Sequence, residues 1–124
     1  TIGQMFENIP THLAVDDITT LTATASNLAS SFATAIDLSG ASADVAFTLD
    51  NGTDVGQLKV IYASTEPASS YVANVTVTSW GTSATGSNQI VLSTLGEAVI
   101  CFWSGTAWFV IADSGLTASR PAIT

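Results

Sequence analysis

Nucleophilic chemistry in this chain would have to start from Cys101, the single cysteine, with His12, the single histidine, as its base. A thiol attacks as its thiolate, which needs a neighbouring base or cation. Cys101 instead sits among Val99, Ile100, Phe102 and Trp103, and His12 lies 89 positions earlier with no helper motif around it. The thiol reads as a small buried hydrophobe, and a lone cysteine closes no internal disulfide. His12, between Thr11 and Leu13, reads as a surface or hydrogen-bonded side chain, because no second ligand stands at metal-site spacing.

Oxygen ligands are the other possible source of chemistry. Asp50-Asn-Gly-Thr-Asp54 places four oxygen-bearing side chains in five residues, like the opening of a calcium loop, but the distal bidentate Glu is missing. A turn accounts for it better. Asp16-Asp17 fits a helix cap or a solvated pair, and no second carboxylate is fixed opposite either one for acid–base work. No phosphate-cradling glycine loop, Ser/His/Asp set or Cys/His cluster is present. The expectation is no enzyme, with no catalytic, cofactor-binding or metal-binding residues and no cofactor.

Charge narrows the partners. Ten acidic residues face only Lys59 and Arg120, a net charge of -8. Such a surface cannot neutralise phosphates or hold an anionic membrane by charge, so nucleic acid and membrane are both excluded as expected partners. The longest apolar run, ending at Trp103, is far short of the ~20 residues of a spanning helix.

The elements that carry these residues are read from period. Hydrophobic residues make up 47% of the 124 and charged residues 10%, so Ser, Thr, Asn and Gly must cover the surface, which suits strands and turns. Val45, Phe47 and Leu49 share one strand face, followed by the turn signal Asp50-Asn-Gly. Leu58, Val60 and Tyr62 then alternate with Lys59 and Ile61, and the two runs together read as a hairpin or bulged near-hairpin. Ala73, Val75 and Val77 alternate with Asn74, Thr76 and Thr78. Three further strands follow at Gln89–Ser93, Glu97–Trp103 and Ala107–Ala112, with Ile100 and Phe109 expected in the core. Residues 23–35 fit two periods: Leu28, Phe32 and Ala35 on a short helix, or an extended continuation of Leu21-Thr-Ala-Thr.

The fold class expected is all-β, an antiparallel β-sandwich or small jelly-roll-like barrel formed by residues 16–124. Residues 1–15 read as an N-terminal arm. Ile2, Met5, Phe6, Ile9 and Leu13 follow no clean period and are broken by Pro10, so they are the candidate partner-binding residues, ordered on a partner or packed as an edge strand on their own core. Trp103-Ser-Gly-Thr-Ala-Trp108 reads as a hairpin clasp with two tryptophans on facing strands. The other use of Trp80, Trp103 and Trp108 is sugar stacking, which requires at least two of them exposed in one groove.

Taken in order, Leu49-Asp-Asn-Gly, Gly56-Gln-Leu-Lys-Val-Ile, Ala73-Asn-Val-Thr-Val, Ile90-Val-Leu, Gly96-Glu-Ala-Val and the Trp103–Ile111 segment resemble a β module of tailed-bacteriophage virion proteins. The resemblance spans about residues 44–113. It implies a head decoration (cement) protein on the outer surface of the capsid, with the major capsid protein and two further copies of itself as partners in a homotrimer. A chain with no fibre repeat and no heptads fits decoration better than a fibre. The alternative within the same resemblance is a tail or head-fibre module that binds a receptor or carbohydrate.

Overall fold

The computed structural model describes residues 18–24, 28, 31–81, 88–114 and 122–123. Nine strands are described: β1 (Ile18–Leu21), β2 (Ala33–Ile36), β3 (Val45–Leu49), β4 (Leu58–Ala63), β5 (Ala73–Val77), β6 (Gln89–Leu92), β7 (Ala98–Trp103), β8 (Trp108–Asp113) and β9 (Ala122–Ile123). They form two open sheets, β1-β2-β4-β7-β8 and β3-β5-β6-β9. The all-β sandwich is as expected, whereas neither a closed barrel nor purely antiparallel pairing is found. β1, β2 and β4 run parallel, as do β3 and β5, and the pairs made by β6, β7, β8 and β9 are antiparallel.

The parallel pairs arise because the chain coils from β2 to β5. β2 and β4 lie in one sheet and β3 and β5 in the other, so each step crosses the sandwich. One circuit takes 27 residues where Ala33 meets Val60 and 28 where Val45 meets Ala73. The expected β3–β4 hairpin therefore does not form. Asp50–Gln57 is an arch between sheets, eight residues long like the 37–44 connection, where a tight hairpin would use two to five. Residues 33–36 are extended, which resolves that part of the ambiguous segment as strand.

Carboxylates tie successive circuits together. The Thr65 hydroxyl donates to Asp37 Oδ1 at 2.7 Å, the Val72 amide to Asp44 Oδ1 at 3.0 Å, and the Thr78 hydroxyl to Asp50 Oδ1 at 3.3 Å. Each pair is separated by 28 residues, one turn of the coil. Acidic residues that looked like bare surface charge thus hold loop to loop.

The core lies between the sheets. Phe47, Leu49, Val75, Val77, Ile90 and Leu92 from one sheet pack with Ile36, Ile61, Val99, Cys101, Trp103 and Trp108 from the other. At about 25 cal/mol per Å2 of apolar surface removed from water, this burial is the main favourable term in the fold. In β4 the inward phase is Lys59, Ile61 and Ala63, so the face carrying the lysine is the buried one. In β7 the inward residues are Val99, Cys101 and Trp103. Ile100 points outward and is only half-buried, and Phe109 is 41% exposed, so the expectation that both belong to the core is corrected. Period 2 had separated the faces correctly, but both faces of β7 are apolar and the inner one could not be chosen locally.

Candidate functional site

The groups that looked reactive are committed to structure. Cys101 is fully buried, and burial pushes its thiol up to about 12, with Lys59 acting in the opposite direction. That is the reverse of what a nucleophile requires. Lys59 is itself fully buried: its Nζ donates to Ser31 O at 2.9 Å, Ser31 Oγ at 3.0 Å and Thr34 Oγ1 at 2.7 Å, pinning the start of β2 to β4. Buried Glu97 accepts from the Ser93 amide and hydroxyl and from the Thr94 amide, closing the turn before β7.

The Asp50–Asp54 loop has the same character. Asp50 accepts from Thr78, Asp54 accepts from the Thr53 hydroxyl at 3.2 Å, and Gln57 Oε1 accepts from the Thr53 amide at 2.8 Å. Among the described residues no three His, Cys, Asp or Glu side chains gather to hold a metal ion. Asp37, which accepts from the Ser39 hydroxyl and amide and from Thr65, is held below the ordinary carboxylate range mainly by the Ser39 bonds.

The tryptophan clasp forms as expected. Trp103 and Trp108 are cross-strand partners with ring centroids 5.3 Å apart and planes tilted by 54°. Both are buried, and Trp108 Nε1 donates to the Asp50 carbonyl at 2.8 Å. Gly52 lies flat against the Trp103 ring, where a methyl would overlap it. Trp80 is half-buried and joins Trp108 through an isolated bridge. The groove of exposed tryptophans that sugar stacking requires does not form, because two of the three indoles lie in the core. His12, Asp16 and Asp17 and the candidate partner-binding residues Ile2, Met5, Phe6, Ile9 and Leu13 lie outside the described residues.

The surface that stands out is the outer side of the five-stranded sheet. Its residues follow from the pairing register. Ile18, Ala33, Val60, Ile100 and Ala112 make one row across all five strands. Thr20, Ala35, Tyr62 and Ala98 make a second, and Leu58, Phe102 and Phe109 a third. Of these twelve positions only Thr20 lacks an apolar body and none is charged; Ala33 and Ala35 are buried, and Leu58, Val60, Tyr62, Ala98, Ile100 and Phe102 are half-buried. Ile111, at the bulge in β8, adds a side chain 58% exposed, and Ile18 is 59% exposed at the opposite edge.

The other sheet presents a different exterior. Its outward rows are Ala46, Asn74, Val91 and Ala122, then Thr48, Thr76 and Gln89. Four of these seven are polar, as expected of a half-solvated sheet.

This apolar face was not singled out from the sequence, although a signal for it was present. β5 alternates strictly, whereas Val60–Ala63, Ala98–Trp103 and Trp108–Ala112 are unbroken apolar runs. Unbroken runs belong to strands covered on both sides. What such a face offers a partner is shape and dehydration. No family model matches the chain, and no curated protein matches it in sequence.

Proposed function

We propose that this chain is a structural binding module of a bacteriophage virion, a capsid decoration (cement) protein that acts as a homotrimer on the outer surface of the head through contacts with the major capsid protein. The observation that carries the reading is the uncharged outer face of the five-stranded sheet, beside a set of potentially reactive side chains committed to internal bonds. Exposed apolar side chains on this face, Ile18, Phe109 and Ile111, support a contact surface of the kind that is often functional. The resemblance across residues 44–113 supplies the setting, and the apolar residues Ile2, Met5, Phe6, Ile9 and Leu13 supply a second element for grasping a shell. The receptor- or carbohydrate-binding alternative is the weaker reading, since burial of Trp103 and Trp108 removes its stacking platform.

Co-sedimentation with intact virions or empty heads tests this. The full chain is expected to pellet with heads, and a chain lacking residues 1–14 is expected to stay folded and lose that binding. Failure of both forms to pellet would reject the decoration role.

A further inference from the structure

We infer that Asn51-Gly52, in the arch between β3 and β4, is a site of self-modification by water: the asparagine side chain closes on the next amide, loses ammonia and reopens as aspartate or isoaspartate. This chemistry is independent of the proposed function.

Three observations meet at this dipeptide. Of Asn8, Asn27, Asn51, Asn74 and Asn88, only Asn51 precedes glycine, whereas the others precede Ile, Leu, Val and Gln. Glycine has no Cβ to obstruct the carboxamide as it approaches the following nitrogen. Asn51 is also exposed, so water and hydroxide reach it. Among the described residues, neither the Asn51 carboxamide nor the Gly52 amide makes a hydrogen bond, so both reacting groups are unheld. Their neighbours are held: the Asp50 carbonyl accepts from Trp108 Nε1, and the Thr53 amide donates to Gln57. Groups on adjacent residues need no encounter before they react.

The fold keeps this reactive pair in place. An alanine at 52 would hinder ring closure, but Gly52 lies against Trp103, where a Cβ would overlap the ring. The tryptophan clasp thus demands the residue that leaves its own anchor open to hydrolysis.

The step balances with water alone. Hydroxide takes the Gly52 amide proton, the nitrogen bonds to Asn51 Cγ, and the Cγ–Nδ2 bond breaks, with Nδ2 leaving as ammonia after gaining a proton from water. A second water opens the cyclic imide. Cleavage at Cγ leaves aspartate, and cleavage at the main-chain carbonyl leaves isoaspartate, whose backbone is one carbon longer. That carbon falls between the Asp50 carbonyl, which holds Trp108, and Gly52, which lies on Trp103. Isoaspartate therefore loosens the clasp, while aspartate only adds a charge beside Asp50 and Asp54.

The test incubates the full chain at neutral and mildly alkaline pH, digests it in acid and maps the peptides by mass spectrometry. Isoaspartate is scored by methyl transfer from S-adenosylmethionine with an isoaspartyl methyltransferase. The mass gain of amide-to-acid conversion is expected at Asn51, faster in proportion to hydroxide, and not at Asn74 or Asn88. Asn51→Gln, which would have to close a larger ring, is expected to fold as the wild type by circular dichroism and to lose the signal. The isoaspartyl form, separated chromatographically, is expected to unfold at lower denaturant than either the fresh chain or Asn51→Asp. A native chain unmodified at Asn51 under conditions that convert the urea-unfolded chain would overturn the inference, as would conversion of Asn74 or Asn88 at the same rate. An isoaspartyl form as stable as Asn51→Asp would overturn the link to the clasp.

Discussion

The two sheets share one core and differ outside it. Beyond the core, the four-stranded sheet shows Asn74, Thr76, Thr48 and Gln89, while the five-stranded sheet shows Val60, Ile100, Phe102 and Phe109. A fold that needed only to bury one side would have alternated in both, as β5 does. Apolar residues on the second side of β4, β7 and β8 are not required by the core between the sheets. The difference teaches that an unbroken apolar strand in a sandwich of this size carries more apolar surface than the shared core uses.

The sharpest way to break that comparison is to cut adjacent aromatics on opposite sides of β8. Trp108→Ala removes a fully buried ring and its bond to the Asp50 carbonyl, and is expected to cost about 3–5 kcal/mol in denaturant unfolding. Phe109→Ala, one residue on, is expected to cost about 1 kcal/mol or less in the isolated subunit. Equal losses would mean that the inner and outer sides have been misassigned.

Lys59→Ala comes next. It strips the donor from Ser31 and Thr34 and leaves a hole in the floor of the sheet, with an expected loss of about 2–4 kcal/mol in the same measurement. A smaller effect follows at the glycines. Gly52→Ala drives a methyl into a Trp103 ring locked against Trp108, an expected loss of about 1–3 kcal/mol. Gly81→Ala meets the tip of the exposed Phe109 ring, which can swing away, so its loss is expected to be smaller.

Two titrations give the smallest effects, and both sharpen the inside–outside contrast. The Cys101 pKa is raised in the folded chain to about 12, so its contribution is complete below the ordinary thiol value of 9.0 and is lost as pH climbs toward 12. Unfolding free energy is expected to decline over that range, and a thiol reagent at pH 8 is expected to label only unfolded chains. Asp37 is the opposite case. Its pKa is lowered from 3.8 by the Ser39 and Thr65 bonds, so the stability it lends is present above that value and fades as pH falls below it. Asp37→Asn is expected to flatten that acid limb of the stability curve by a small amount, since the carboxylate is solvent-exposed.

Much of the candidate surface was legible residue by residue while its meaning was not. Leu58, Val60 and Tyr62 separate from Lys59 and Ile61 on period alone, and that division is what the fold shows. Period alone does not say which of the two sides faces inward. The structure puts the lysine inside, where Ser31, just before β2, and Thr34 on β2 offer three acceptors that no local pattern reveals. The role of Asp37, Asp44 and Asp50 was hidden for a related reason: their partners lie 28 residues away.

What the amino-acid order determined by itself is the all-β class, the placement of the strands from β3 to β8, the Trp103–Trp108 clasp and the burial of Cys101. These follow from side-chain alternation and short turns, which act over a few residues. Only the tertiary structure decided that Asp50–Gln57 is an arch and not a hairpin, that β2 lies parallel to β4 and β3 to β5, and which side of β4 and β7 faces inward. An eight-residue connection fits either geometry, and a strand apolar on both sides has no inner face until another sheet is laid against it. Those choices are settled by contacts one full coil apart, beyond the reach of any local pattern.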